Sequence, residues 1–213
     1  MSNKIVPEIG VGIDFGASNS CSGVYINGSV KIVPNNIGEI LTPSVVLFKS
    51  IKDLNKNKNK NEIIQEEILV GEEALYEPIG DKKNYIYEIK RLIGLNYQEF
   101  EKSGFKKYLD YEIENILGTP KIKIDIKGQD RYYSIEEISS FIIRKIVQST
   151  EDFITEIFGK QLKINSVVFT VPSQFTAQQK KSILVSAEKA GIENPRLINE
   201  PIAAALAYLS KKI

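Results

Sequence analysis

The sequence predicts an α/β fold, a mixed β-sheet flanked by helices, with a smaller unit inserted. Three observations carry that prediction. The chain opens with a β-meander, its last third alternates strands with helices, and two of those helices begin at capping boxes. Strands that feed helices at a shared edge are the plan of an open α/β sheet.

The meander runs as follows. Residues Ile9 to Asp14 read as a strand, Cys21 to Ile26 as its antiparallel partner, and Asn27-Gly28 as a hairpin turn into a third strand, Val30 to Pro34. Between the first two lies a small polar connector, Phe15-Gly16-Ala17-Ser18-Asn19-Ser20. Thr42-Pro43-Ser44 marks a break before the apolar run Val45 to Phe48. Lys52 to Asn61 is low in complexity and reads as a surface loop, either a plain expansion or a binding tail. In Tyr85 to Ile93, the spacing of Ile86, Ile89 and Ile93 predicts a helix that stops at Gly94. Lys121 to Ile126 alternates polar and apolar residues as a half-exposed strand does, and Arg131 to Tyr133 returns after the turn Lys127-Gly128-Gln129.

The last third is patterned more sharply. Ser134-Ile135-Glu136-Glu137 is a capping box, and an apolar stripe from Ile135 to Phe158 follows it to Gly159. Val167 to Val171 is uninterrupted apolar strand, predicted to be buried on both faces, and Pro172 ends it. Thr176-Ala177-Gln178-Gln179 is the second capping box, opening a helix that closes at Gly191. Arg196-Leu197-Ile198 is a short strand. Asn199-Glu200-Pro201 caps an Ala-rich helix, Ile202 to Leu209, suited to close packing.

Composition excludes several classes of chemistry. The 213 residues hold no histidine and one cysteine, Cys21, so Ser–His–Asp, Cys–His and zinc chemistry and an internal disulfide framework are not expected. Carboxylates, lysines, hydroxyls, backbone amides and a hard cation such as Mg²⁺ remain. A net charge of +1 gives no reason to expect nucleic acid or an anionic membrane as partner. No apolar run has the length of a signal peptide core or a membrane span, and a cytoplasmic location is the expectation.

The connector after Asp14 is the candidate site. Gly16 permits close approach of backbone to a ligand, Ala17 is small, and Ser18 and Asn19 add side-chain donors. Successive amides in such a turn form an anion-binding concavity. A carboxylate beside it repels phosphate unless a cation bridges the two, so Asp14 points to Mg²⁺. A plain hairpin remains the alternative on this segment alone.

Five segments, in order, extend the reading. They are Gly12-Ile13-Asp14-Phe15-Gly16-Ala17-Ser18-Asn19-Ser20-Cys21; Asn35-Asn36-Ile37-Gly38-Glu39 with Thr42-Pro43-Ser44; Lys90-Arg91-Leu92-Ile93-Gly94; Thr170-Val171-Pro172 with Phe175; and Ile198-Asn199-Glu200-Pro201 with Ala203-Ala204-Ala205-Leu206-Ala207-Tyr208. Together they resemble the 70-kDa heat-shock (DnaK-type) chaperone family. The likeness covers nearly the whole chain and is poor over the Lys/Asn run and from Gln98 to Pro120.

That resemblance implies lobe I of an N-terminal actin-like (ribonuclease H-like) ATPase domain. Residues 1–43 and 134–213 would be the actin-like subdomain and 44–133 the inserted one, with the second phosphate motif and the adenosine-binding residues expected beyond Ile213. It implies ATP/ADP and Mg²⁺ as cofactors. The implied activity is ATP hydrolysis that drives peptide binding and release, with unfolded client peptides, J-domain proteins and nucleotide exchange factors as partners. Lys90 would face the attacking water and the γ-phosphate, the alternative being a solvated helix charge. Glu200 would ligate Mg²⁺-bound water or position the attacking water, the alternative being a helix-dipole acid. Pro172 would relay conformation to the substrate domain with an Arg of the family, but Lys180 stands at that position and lacks the planar fork. Ala17 stands where the family has Thr, and Phe15 where it has Leu, which reads as packing. Cys21 reads as a small core residue. The competing function is a non-catalytic chaperone relative, a nucleotide sensor or a co-chaperone or ribosome-binding platform. Another actin-like protein, such as a sugar kinase or filament former, is the third.

Overall fold

The computed structural model describes residues 9–26, 28–52, 64–160, 164 and 166–210. The elements in order are β1 (Gly10–Asp14), β2 (Asn19–Ile26), β3 (Ser29–Ile32), β4 (Thr42–Pro43), β5 (Val46–Lys52), β6 (Ile64–Val70), α1 (Glu72–Tyr76), β7 (Tyr85–Ile86), α2 (Tyr97–Ser103), β8 (Glu112–Ile116), β9 (Thr119–Ile126), β10 (Gln129–Ser134), α3 (Ile135–Phe158), β11 (Ser166–Val171), α4 (Ala177–Lys189), β12 (Asn194–Asn199) and α5 (Glu200–Ser210).

The main sheet runs β12-β11-β1-β2-β3, with β4 on the end of β2. The meander half is antiparallel, whereas β1, β11 and β12 are mutually parallel, so the sheet is mixed. Parallel pairing places the C-terminal ends of β1, β11 and β12 at one edge, where ligands bind in open α/β sheets. Two three-stranded sheets, β6-β5-β7 and β10-β9-β8, come from the sequence between β4 and α3. Lys145 of α3 holds α1 to the main body, reaching the buried Glu72 at 3.2 Å and Glu73 at 2.7 Å. The Glu72 contact is ionic and lacks hydrogen-bond alignment.

One face of the main sheet is core. Val11, Ile13, Val24, Val167, Phe169 and Val171 project into a cluster with Ile142, Ile146 and Ile183 of the covering helices. Both predicted capping boxes form, with Ser134 and Glu137 at α3 and Thr176 and Gln179 at α4. Gly159 closes α3 as expected.

Three expectations change. β11 is buried on one face only, and Val168 on the other is 37% exposed. Tyr85 to Ile93 is not a helix. Tyr85 and Ile86 pair with Leu47 and Val46, Glu88 turns left-handed, and Ile89–Leu92 is a single 3₁₀ turn. The isoleucines that mimic helical spacing are core residues all the same. The Ala-rich α5 forms, but none of its residues is buried, and Ile202, Leu206 and Leu209 face solvent. Beyond Lys52, the Lys/Asn run lies outside the described residues, as does Asn27 between β2 and β3. Among the described residues no helix is long and apolar enough to cross a membrane.

Candidate functional site: a phosphate turn with a facing lysine

The turn after β1 is fixed by its own residues. A Cβ at Gly16 would lie 1.9 Å from the Asn19 carbonyl oxygen, so only glycine closes this loop. The Gly16 amide donates to Ser20 Oγ at 3.0 Å, and the Ser20 and Ser44 hydroxyls lie 2.8 Å apart in the interior. The Ser44 amide donates to the Ser18 carbonyl at 2.9 Å, which ties the turn to the residues after β4. The Gly16 amide is therefore engaged within the loop and is not a ligand donor. The Ala17 and Ser18 amides have no hydrogen-bond partner among the described residues. Two successive open amides are what an anion nest requires.

Asp14 ends β1 beside Thr170 of β11, because Ile13 registers with Phe169. Thr170 Oγ1 donates to Asp14 Oδ1 at 2.8 Å, and Oδ2 has no partner among the described residues. No three His, Cys, Asp or Glu side chains among them gather closely enough to hold a metal alone. Mg²⁺ is usually held by one or two carboxylates together with water and phosphate oxygens. An exposed, oriented Asp14 fits that donor set.

Lys90 reaches the same edge from the 3₁₀ turn. Its ammonium donates to Glu200 Oε1 at 3.1 Å and lies 5.9 Å above the Phe175 ring. The Lys90 side chain is 11% exposed and that of Glu200 42%, so the lysine is held and the carboxylate opens to solvent. Glu200 opens α5 directly after β12, whose Asn199 registers with Val171. The Lys90 segment is seated against α4 at Gly94, where any Cβ would lie 2.5 Å from Gln179 Cα.

The structure thus brings Asp14, Gly16, Ala17, Ser18, Asn19, Lys90 and Glu200 to one edge. Pro172 sits in the turn between β11 and α4, where its carbonyl accepts from the Phe175 amide at 3.1 Å. Lys180 lies in the first turn of α4, and its side chain has no ion pair or hydrogen bond among the described residues.

Three contributors carried no stated role in the sequence reading. Thr170 orients Asp14, Phe175 lies under Lys90, and Glu88 accepts from Ser18 Oγ at 2.7 Å while pairing with Arg91. Burial opposes charge on Glu88, but the Arg91 guanidinium and the Ser18 hydroxyl outweigh it and hold the carboxyl below its usual range. Thr170 and Phe175 fall within quoted segments, whereas Glu88 has no local signal. Cys21, opposite Asp14 across the hairpin, has its thiol pushed up by burial and by the Asp14 carboxylate, so it is a poor nucleophile.

A polar cleft of about 390 Å³ lies to one side, lined by Gly94, Asn96, Glu99, Gly118, Glu136 and Gln179 among others. Its charged groups are carboxylates, which disfavour an anion. It contains none of Asp14, Ser18, Lys90 or Glu200.

Comparison with known proteins gives the family. The family model described as Hsp70 protein matches residues 10–212. This chain belongs to the Hsp70 family. It is 32% identical over 199 residues to a heat shock 70 kDa protein, BIP3, of Oryza sativa subsp. japonica, covering 93% of this chain and 27% of that protein. It is 34% identical over 203 residues to the chaperone protein dnaK of Cyanidioschyzon merolae, covering 95% of this chain and 30% of that protein. The chain therefore spans less than a third of the length of these relatives. Membership accords with the mixed sheet and flanking helices of an actin-like ATPase lobe.

Proposed function

We propose that this chain is the first lobe of a two-lobed chaperone ATPase, and that the Asp14-to-Asn19 turn cradles the phosphates of ATP. In this reading residues 1–43 and 134–213 form the actin-like subdomain and 44–133 the inserted one. One observation carries the proposal: Lys90 and Glu200, 110 positions apart, meet at 3.1 Å at the same sheet edge as the Asp14 turn.

Each residue then has a task. The open Ala17 and Ser18 amides bind phosphate oxygens and, being fixed, need no reorganisation as charge develops. Asp14 and, through water, Glu200 would hold Mg²⁺, which supplies charge neutralisation at the phosphates. Glu200, partly exposed, accepts a hydrogen bond from the attacking water and orients it in line with the leaving oxygen. Lys90 places positive charge beside the transferring phosphoryl group. With no histidine in the chain, positioning and electrostatics are the means available, and phosphoryl transfer is chemistry that runs on them.

In the whole protein, hydrolysis would drive binding and release of unfolded client peptides, with J-domain proteins and nucleotide exchange factors as co-chaperones. Pro172 would carry the nucleotide state outward through the turn that holds Phe175 under Lys90. The free thiol of Cys21 suits a reducing compartment such as the cytoplasm. A second reading, a nucleotide-sensing platform without turnover, draws on Ala17 and on the unpartnered side chain of Lys180.

Steady-state phosphate release separates them. The complete protein carrying this chain is expected to hydrolyse ATP with Mg²⁺ present, and the 213-residue chain by itself to bind nucleotide weakly without turnover. Turnover by the isolated chain would contradict the two-lobe account, and none by the complete protein would favour the platform.

A further inference from the structure

Glu88 faces the phosphate turn and has no part in the scheme above. It sits in the left-handed region at φ 54, ψ 25, a conformation that costs a non-glycine residue about 1 kcal/mol. Such strain persists where surrounding contacts over-determine it. Here they do. The Glu88 carboxylate accepts from Ser18 Oγ at 2.7 Å, across 70 positions of sequence, and its second oxygen pairs with Arg91. Arg91 is itself set over the Phe105 ring at 5.1 Å. On the preceding side the Tyr87 carbonyl accepts from Tyr111 Oη at 2.7 Å. Residues 87–91 are therefore clamped by Phe105 and Tyr111 on one side and by the phosphate turn on the other.

Placement makes the clamp consequential. A carboxylate beside an anion nest opposes phosphate binding, so affinity does not account for it. Lys90 projects from within the clamped segment, two residues on, and its ammonium must hold one position for the facing charge to act. We infer that Glu88 is a positioning residue, whose bond to Ser18 fixes the Lys90 segment against the phosphate turn and so sets the reach of the Lys90 ammonium. This rests on the reading of the turn as a phosphate cradle. Glu88 touches neither substrate nor the reacting atoms and acts through Lys90.

Left-handed backbone supplies a clean test. Glu88→Gly removes the tie to Ser18 and relieves the strain at once, so the variant folds with a melting temperature close to the parent's. Glu88→Gln keeps a carbonyl acceptor for the Ser18 hydroxyl. In the complete protein, kcat for ATP hydrolysis should fall about 10- to 100-fold in Glu88→Gly, the scale of a misplacement near 1 Å, with KM for ATP nearly unchanged. Glu88→Gln should recover most of that loss. Parent-like kcat in Glu88→Gly, or a fall in kcat that follows a lower melting temperature, overturns the inference and leaves the phosphate cradle standing. Absence of hydrolysis in the parent protein favours the platform reading and removes this inference with the hydrolytic one.

Discussion

Replacing Lys90 with alanine in the complete protein should lower kcat for ATP hydrolysis about 10²- to 10³-fold, the loss seen when one preorganised charge-stabilising donor is removed. Lys90 is held by Glu200 at 3.1 Å and by the Phe175 ring, and its side chain is only 11% exposed, so little rearrangement precedes its action on the phosphoryl oxygens. The loss should fall on kcat, with nucleotide affinity changed little, because the Ala17 and Ser18 amides and Asp14 stay in place. Stability should move by about 1 kcal/mol or less, since the partner carboxylate of Glu200 is 42% exposed and water can replace the ammonium. Rapid-quench measurement of a single turnover reads the chemical step directly. A parent enzyme with turnover and a Lys90→Ala variant equal to it would remove Lys90 from the mechanism.

The second large effect is on folding. Gly94→Ala puts a Cβ 2.5 Å from Cα and 2.7 Å from the amide nitrogen of Gln179, at a residue whose φ is 69°. Both contacts are with backbone at the start of α4, and no rotamer change relieves them. Overpacking against backbone added to a left-handed alanine should cost about 3 kcal/mol or more. For a chain of this size that lowers the melting temperature by about 10 °C, which calorimetry resolves. The displacement is passed to Lys90 along the 3₁₀ turn, so the folded fraction of the complete protein carrying Gly94→Ala should also hydrolyse ATP more slowly.

Much of the architecture was legible because local signals and tertiary pairing agree. Ser134 and Thr176 cap the helices their patterns announce, and β1, β2 and β3 pair antiparallel as the meander predicts, with the third strand at Ser29–Ile32. Tyr85 to Ile93 misled because burial at Ile86, Ile89 and Ile93 satisfies helical spacing while strand pairing with β5 and the left-handed Glu88 set the backbone. The apolar run of β11 looked buried on both sides. On its second face Val168 keeps 37% of its surface exposed, and Ile202 and Leu206 of α5 stay exposed as well.

The site divides in the same way. Asp14 and Gly16 announce an anion turn from their own segment. Lys90 and Glu200 became candidates through resemblance, and the structure brings their charged atoms together. Ser18 to Glu88 and Thr170 to Asp14 join residues 70 and 156 positions apart, and no spacing rule reaches that far. The Gly16 amide is engaged by Ser20, a pairing that no local pattern signals.

The central claim is that three distant segments form one wall of a nucleotide site. Hydrogen–deuterium exchange of the complete protein, with and without Mg²⁺ and ADP, addresses it most directly. Peptides spanning residues 14–20, 88–94 and 198–204 should gain protection together on nucleotide addition. Protection confined to other peptides, or to just one of these three, would contradict the account.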